Sequence, residues 1–406
     1  MRVLEINALL GAGSTGIIVN DIKNCLNEHG IACDVACSKS YIGQDDHTYL
    51  IGNTLDRKVH AVLCRLGGKQ GYYSTLPTKR LLRYIDATHP DIVQLHNVHN
   101  NYVNFPLLLH HLAKRNITTV LTLHDCWFFT GGCFHYYADH CDKWMTGCEA
   151  CPKRMKDTPA YIHDCSNKIY RDRKNGYEAV DKLVVVGVSE WISNEARKSI
   201  LKNAEIHTIH NGIDLDVFQP TASNLRERLG LSGKKVIIGP ASKWLSTVNK
   251  DTYQHFVDHM DEDMVLLLFG CGDTSMTVPA NVRLYGFIHD RKQLAELYSM
   301  ADVLVNCSRE DTLSTINLEA QACGTPVVTY DSTGSKETVD DVVSRSVTAG
   351  NHEQLLTITK KVLANRAEQT TVQCRQFIVN EYDKKKNFVD YVHLFNQIMK
   401  SKNEQA

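Results

Sequence analysis

The sequence predicts an α/β protein in which buried strands alternate with helices, arranged as two domains. Short apolar runs such as 91–96 and 301–307 are typical of buried strands, and a polar loop with a capped helix follows the latter. A glycine-rich turn joins the first strand to a helix. The chain has 406 residues, which is long for one hydrophobic core, so we expect two domains.

Composition narrows the class of protein. The formal net charge of −1 gives no reason to expect nucleic acid as a partner. No apolar run approaches the ~20 residues that span a bilayer, and Glu5 and Asn7 interrupt any signal-peptide core. Fourteen cysteines without a secretory signal favour reduced thiols or metal ligation in the cytosol over a disulfide framework. We therefore expect a cytoplasmic protein.

The first strand, near 1–7, leads into Leu10-Gly-Ala-Gly-Ser-Thr-Gly and then a helix. Gly13 and Gly16 would let the backbone approach a phosphate closely, and the helix would supply amides. The pattern is also that of a dinucleotide fingerprint, but Ser38 and Lys39 stand where that fingerprint expects an acid.

The stretch 57–83 is basic and carries interleaved aromatic and apolar residues. Such a segment can lie on an anionic membrane surface, which would place the protein peripherally at the inner face of the membrane. The alternative is a solvated face with scattered apolar contacts.

Two further buried strands end in polar residues. The strand 91–96 ends at His96, and the strand 118–123 is followed by His124 and Asp125. Functional residues concentrate at such strand ends in parallel sheets, where a histidine can act as a base or orient a hydroxyl. The alternative for His124 is a hydrogen-bonded structural histidine.

A group of cysteines follows closely. Four thiols within twenty residues could close a tetrahedral zinc site, with His135 and His140 as substitutes, or could simply be reduced cysteines in a loop. The four are Cys133, Cys141, Cys148 and Cys151.

The second half repeats the strand–helix pattern. The polar segment 220–233 is typical of a linker, which predicts domains over 1–218 and 233–378. Apolar residues at helical spacing from Gln376 to Met399 predict a terminal helix within 379–406 that packs back on the first domain.

The stretch 307–328 contains two acids that frame a helix start. Asp311 lies in a loop, and Glu319 lies about one turn into a helix that Ser314 or Thr315 can cap. A loop carboxylate and a helix carboxylate can converge on one polyol, because carboxylates accept strong hydrogen bonds from hydroxyls. The alternative is a surface acid on a solvated helix face.

This stretch resembles the signature of the retaining GT-B glycosyltransferases of family four, "E-G-F-G-x-x-x-x-E-A-M-A-x-G-x-P-V-V". Residues 319–328, Glu-Ala-Gln-Ala-Cys-Gly-Thr-Pro-Val-Val, match its second half closely. The first half departs, since Asp311 stands in place of the first Glu and Thr312-Leu313-Ser314 in place of Gly-Phe-Gly. The phrases around His124 and around 207–214 are also similar to the family.

The resemblance implies two Rossmann-like domains facing each other across a cleft, a terminal helix crossing back, and a role for specific residues. His124 and Asp311 would be catalytic and face the transferred sugar, while Glu319 would bind the donor ribose. An arginine that the family usually has near Ser242 is absent. The donor-binding residues implied are Gly13, Gly16, Ser242, Lys243, Lys250, Leu313, Ser314, Thr315 and Glu319.

The implied reaction moves a sugar from a UDP- or GDP-linked donor to a hydroxyl acceptor with retention, without a catalytic metal. The acceptor would be a saccharide or a lipid-linked saccharide in cell-surface polysaccharide synthesis. Two alternatives remain open: a nucleotide-sugar epimerase of the same architecture, and a member that binds a nucleotide sugar without turnover.

Overall fold

A computed structural model describes residues 1–157 and 159–405. The chain forms two compact units, each of which has its own parallel sheet. The first unit is Met1–Asn211 together with the segment that starts at Lys385, and the second is Gly212–Lys384.

Each sheet is entirely parallel in its strand pairing. The strands of the first unit are β1 (Arg2–Leu10), β2 (Ala32–Ser40), β3 (Thr48–Leu50), β4 (Ile92–Leu95), β5 (Thr118–Leu123), β6 (Leu183–Gly187) and β7 (Glu205–Thr208). Those of the second are β8 (Lys235–Pro240), β9 (Met264–Cys271), β10 (Val282–Gly286), β11 (Val303–Asn306), β12 (Val327–Asp331) and β13 (Arg345–Thr348).

The strand orders are β3-β2-β1-β4-β5-β6-β7 and β10-β9-β8-β11-β12-β13. The chain order therefore reverses between β1 and β4 in one sheet and between β8 and β11 in the other. Open α/β sheets bind ligands beyond the carboxyl ends of the strands at such switch points. These two places are where each unit is expected to bind substrate.

Helices cover both sheets. Up to the start of the second sheet they are α1 (Gly13–Glu28), α2 (Thr54–Gly67), α3 (Thr75–Thr88), α4 (Phe105–Lys114), α5 (Ser166–Glu178), α6 (Glu190–Lys198) and α7 (Leu225–Arg228). The rest are α8 (Ala241–Trp244), α9 (Lys250–His259), α10 (Arg291–Met300), α11 (Thr315–Ala322), α12 (His352–Ala364), α13 (Glu368–Glu381), α14 (Lys384–Asn387) and α15 (Val389–Gln405).

This architecture confirms the predicted α/β class with two Rossmann-like domains. The helical spacing from Gln376 to Met399 spans more than one helix, because α13 ends at Glu381 and α15 begins at Val389. The chain leaves the helix where Tyr382 donates its hydroxyl to the carbonyl of Glu337 at 2.6 Å, and where Asp383 pairs with Ile213 in an isolated β-bridge. These tertiary contacts replace the helical ones.

Helix α15 belongs to the core of the first unit. Its buried Tyr391 and Phe395 pack in one cluster with Val3, Val120 and Val184, which lie on β1, β5 and β6. Burying an aromatic side chain in this way is worth several kcal/mol. The C-terminal segment is thus a structural part of the first unit.

We expect Phe395→Ala to lower the free energy of unfolding of the first unit by about 3–5 kcal/mol, the usual cost of removing a buried aromatic side chain. His393, which is exposed on the same helix, gives a matched control, and His393→Ala should change it by less than about 0.5 kcal/mol. Native-state hydrogen exchange of the β5 amides measures both. Equal protection in the two variants would contradict the packing role of α15.

Candidate active site

A buried side-chain amide, that of Asn306, fixes the loop after β11. Asn306 donates its side-chain N–H groups to Ser314 Oγ at 3.0 Å and to Asn317 Oδ1 at 2.9 Å. Ser314 is the N-cap residue of α11, but its side chain makes no capping hydrogen bond, and the first turn contains no acidic residue. The first amides of a helix have no intrahelical partner, so this helix start is suited to bind an anion.

Positively charged side chains also lie at the switch point between β8 and β11. Asn249 donates to the carbonyls of Lys243 at 3.1 Å and Cys307 at 2.9 Å, which joins the loops after β8 and β11. Arg309 Nε donates to Asn249 Oδ1 at 3.2 Å. Lys243 and Arg309 both lie close enough to the Cys307 thiol for their charges to act on it. Two cations therefore lie near the carboxyl end of β11.

Arg309 is a residue that sequence reasoning missed. The predicted donor site counts an arginine near Ser242 as absent, whereas Arg309 brings a guanidinium from the neighbouring strand end. Ser242 is exposed in α8, and Lys250 is exposed at the start of α9. The only sequence feature that pointed to Arg309 was its place directly after a buried strand.

Glu319 lies one turn into α11 and is partly buried. Tyr298 donates its hydroxyl to Glu319 Oε2 at 3.1 Å. Burial raises the pKa of Glu319 to about 7, although Tyr298 and the charge of Arg291 oppose this shift. A carboxylate with few partners in a partly dry site gains from hydroxyl donors, so it is suited to bind a polyol.

Asp311 is anchored through its backbone. Its N–H donates to Thr333 Oγ1 at 2.8 Å, and its carbonyl accepts from the N–H of Gly334 at 2.9 Å. Within residues 1–157 and 159–405, its carboxylate forms no hydrogen bond or ion pair with another side chain. The next residues, Thr312 and Leu313, are buried. The loop thus holds Asp311 in place through its main chain and leaves its acid group without a protein partner.

The switch point of the first unit lies between β1 and β4. A Cβ atom on Gly16 would lie 3.0 Å from the carbonyl oxygen of Leu9, so glycine lets α1 approach β1 closely. Gly13 has φ +67°, a conformation that favours glycine. The Asn97 N–H donates to Asn7 Oδ1 at 3.1 Å, which ties the ends of β4 and β1 together.

His124 ends a chain of buried polar side chains. Its Nε2 lies 2.9 Å from His96 Nδ1, and His96 Nε2 lies 3.3 Å from Glu5 Oε1. Burial lowers the pKa of His124 to about 4, with a raising contribution from Asp125. Burial also lowers the pKa of His96 and raises that of Glu5. Burial therefore holds His96 and His124 neutral near pH 7 and favours the protonated form of Glu5.

Asp125 and His99 form a pair that orders the loop after His124. Asp125 Oδ2 lies 2.9 Å from His99 Nε2, and its Oδ1 accepts the N–H of Trp127 at 2.8 Å. Burial raises the pKa of Asp125, but His99 and the Trp127 N–H outweigh burial and hold that pKa below its usual value. Trp127 in turn donates to Gln70 Oε1 at 2.7 Å. The segment after His124 is therefore well fixed.

The cysteines of the predicted zinc site lie along that same segment, and no disulfide joins cysteines among the described residues. In the part of the chain that the structure describes, no three His, Cys, Asp or Glu side chains are already arranged as ligands of a metal ion. The zinc site stays a prediction.

Comparisons with known proteins agree with this geometry. The family described as "Glycosyltransferase Family 4" matches residues 15–217, and "Glycosyl transferases group 1" matches residues 269–378. WcaC of Escherichia coli (strain K12), whose name gives it as a glycosyl transferase of colanic acid biosynthesis, is 23% identical over 389 residues. The match covers 92% of this chain and 93% of WcaC.

Solved structures share the fold across almost the whole chain. Sucrose-phosphate synthase from Thermosynechococcus elongatus has a TM-score of 0.71 at 17% identity, covering 98% of this chain and 99% of that one. Anabaena Alr3699/HepE in complex with UDP-glucose has a TM-score of 0.63 at 13% identity, covering 98% and 100%.

The two parallel sheets and these neighbours define a GT-B fold. The chain belongs to glycosyltransferase family 4, whose family model matches half of the chain. The group 1 model matches residues 269–378, in the second half of the chain. It is a glycosyltransferase.

Glu319 should make stability depend on pH. Its pKa is about 7 in the folded chain against an ordinary value of 4.5, so between these values the folded chain keeps a proton that the unfolded chain has lost. The free energy of unfolding therefore falls as pH rises through this window. Glu319→Gln removes the titration and should gain stability relative to the parent as pH rises.

Melting temperatures of both proteins, taken without nucleotide at about pH 5 and about pH 8, measure this difference. A difference between parent and variant that does not change with pH would show that Glu319 titrates as an ordinary carboxyl group.

Proposed function

We propose that the protein transfers a sugar from a UDP- or GDP-linked donor to a hydroxyl acceptor, with retention of configuration, in the synthesis of a cell-surface polysaccharide. The observation that carries the proposal is the group of anion- and polyol-binding features at the β8–β11 switch point. WcaC, named for colanic acid biosynthesis, and the Anabaena protein, solved with UDP-glucose, support the acceptor and donor classes respectively.

The donor is bound through two chemically distinct parts. Its diphosphate lies at the amides that start α11, where Lys243, Arg309 and Lys250 supply positive charge. Its ribose hydroxyls donate to Glu319. Because hydroxyl donors favour the ionised carboxylate, donor binding lowers the pKa of Glu319 from its raised value.

The chemical step needs charge stabilisation more than strong acids or bases. The bond between the anomeric carbon and the diphosphate oxygen breaks, a bond to the acceptor oxygen forms on the same face, and the acceptor proton passes to the departing diphosphate. The amides of α11 and the neighbouring cations stabilise the charge that develops on the leaving group.

His124 acts at the transferred sugar as a neutral imidazole. Its Nε2 is engaged with His96, which leaves Nδ1 to bond a sugar hydroxyl. Glu5 and His96 hold the ring in one orientation, and Asp311 supplies a carboxylate that faces the sugar. His96 and Glu5 are positioning residues, since they act through His124.

His124→Ala should lower the rate of transfer by roughly 10²–10⁴-fold, the range for a positioned acid–base group, while nucleotide affinity and melting temperature stay near those of the parent. His393→Ala is the control for loss of an exposed histidine. Release of free sugar from the donor serves as readout when the acceptor is unidentified. A mutant that transfers at the parent rate, or fails only because it unfolds, contradicts this role.

A lipid-linked acceptor would require contact with a membrane, and α2 has a surface suited to it. One face packs inward through His60 and Cys64. The other is apolar but open to solvent, with exposed fractions between 40% and 69%. The exposed residues are Leu55, Val59, Val62, Leu63 and Leu66.

At helical spacing Lys58 and Arg65 lie beside this face, and Lys69 follows the end of α2. An apolar stripe with lysine and arginine at its margins is typical of a helix that lies in an anionic lipid interface. In the described residues, no helix is long and apolar enough to cross a membrane. From this apolar stripe and its basic margins we propose peripheral binding through α2, with an anionic bilayer as its partner.

Val59→Ser/Val62→Ser should weaken binding to vesicles that contain anionic lipid by at least about tenfold, because two apolar side chains no longer leave water on binding. Val342→Ser/Val372→Ser replaces two equally exposed valines elsewhere and should bind as the parent does. Vesicle co-sedimentation measures all three. Equal binding by both double variants, or no binding by the parent, would contradict the proposed surface.

A further inference from the structure

The cluster of four cysteines after β5 has features of a metal site that the glycosyl-transfer site does not use. The segment from 127 to 152 contains short 3-10 turns but no long helix or strand, so little regular backbone hydrogen bonding supports it. Its aromatic residues pack on the core of the first unit, and Cys148 is buried within that core. Cys133 and Cys141 pack against the same core.

The four thiols are neighbours in space. Cys133 lies close enough to Cys148 and Cys151 that an ionised thiol there raises its pKa, and Cys141 acts in the same way on Cys148 and Cys151. Cys133 and Cys151 also line one small cavity of about 20 Å³. Rotation about the Cα–Cβ bond turns a cysteine sulfur toward a shared centre, so the backbone positions decide whether four sulfurs can meet.

Gly131 supports one of these sulfurs through its backbone. Its N–H donates to Cys148 Sγ at 3.1 Å. A Cβ atom on this glycine would lie 2.7 Å from the Cβ of Cys148 and 2.7 Å from the carbonyl oxygen of Ser166. Glycine is therefore needed for the backbone to approach the sulfur. Hydrogen bonds to ligating atoms are a regular part of metal sites.

A buried cation beside the cluster has no anionic partner. Arg173 is buried, stacks on Trp127 at 3.5 Å, and donates Nη1 to the carbonyls of Trp127 and Thr130. Its Nη2 is buried without a hydrogen bond, and no carboxylate in residues 1–157 and 159–405 forms an ion pair with it. The guanidinium lies close enough to Cys148 and Cys133 for their charges to interact.

An uncompensated buried charge is costly. Four neutral thiols leave the Arg173 charge without an anionic partner, whereas a divalent ion bound by four thiolates carries a net charge of −2 and would supply one. Four sulfur ligands in a tetrahedral arrangement favour Zn²⁺ among common divalent ions.

We propose that Cys133, Cys141, Cys148 and Cys151 bind one structural Zn²⁺, with Gly131 and Arg173 supporting the ligating sulfurs. When bound, the ion supplies a crosslink that holds the segment after His124. Binding releases the thiol protons to solvent, so each ligand enters as a thiolate. The site is separate from the donor-binding residues and does not depend on the proposed sugar transfer.

The test uses the full chain purified without chelators. Elemental analysis should find about one zinc per chain in the parent and much less in Cys148→Ser. Cys165→Ser is the matched control, because Cys165 lines the same small cavity but donates its thiol to the Gly67 carbonyl at 3.3 Å and is not a proposed ligand. This control should keep its zinc.

A second measurement covers the case in which Cys148→Ser fails to fold. Parent protein loaded with Co²⁺ should show sulfur-to-cobalt charge-transfer bands and the visible bands of tetrahedral cobalt. A spectrum with fewer sulfur ligands would assign a place to His135 or His140 and overturn the four-cysteine set. Parent protein without bound zinc and without these bands, or with the four cysteines paired as disulfides in mass spectrometry, would overturn the metal site itself.

Discussion

The side-chain amide of Asn306 sets the geometry on which the proposed donor site depends. It spans from the end of β11 to Ser314 and Asn317, so the loop between them cannot move independently of the helix that follows. The Ser314 hydroxyl accepts a hydrogen bond from Asn306 and does not cap the helix amides. Asn249 performs the same task for the loop after β8 and orients Arg309. Two buried amides therefore hold the cations and the helix start together.

In the first unit, burial controls the charge of the titratable groups at the strand ends. There, desolvation raises the pKa of Glu5 and lowers the pKa of His96 and of His124, so the group at the strand end is a hydrogen-bonding imidazole and not a cation. In the second unit, burial leaves Glu319 with a pKa of about 7, close to the point where a ligand can decide its charge. Burial thus gives the first unit a neutral imidazole and the second unit a carboxyl group whose charge a ligand can change.

The sequence predicted those features that depend on local pattern. The strand before Cys307, the helix start at Ser314 and the stop at Gly324, whose φ is +81°, follow from apolar runs and glycine chemistry. The α/β class and the family followed from the same stretch. The placement of Glu319 on a helix also needed only local spacing.

Features that depend on distant contacts were not predictable in this way. The role of Arg309 depends on Asn249, which lies sixty positions earlier in the chain. The break after Glu381 depends on contacts of Tyr382 and Asp383 with residues far away in sequence. The Tyr298 hydroxyl on Glu319 is likewise a tertiary contact. No periodicity encodes such pairs, so the structure was needed to find them.

The central claim is that the second unit holds the nucleotide of the donor through Glu319. Calorimetric titration of the parent and of Glu319→Ala with UDP and with GDP tests it most directly. For the nucleotide that the parent binds, the variant should lose roughly 1.5–3 kcal/mol of binding free energy, the worth of a hydrogen bond to a charged group, while it remains folded at the temperature of the titration. Equal affinity in the two proteins, or no binding of either nucleotide by the parent, would contradict the account.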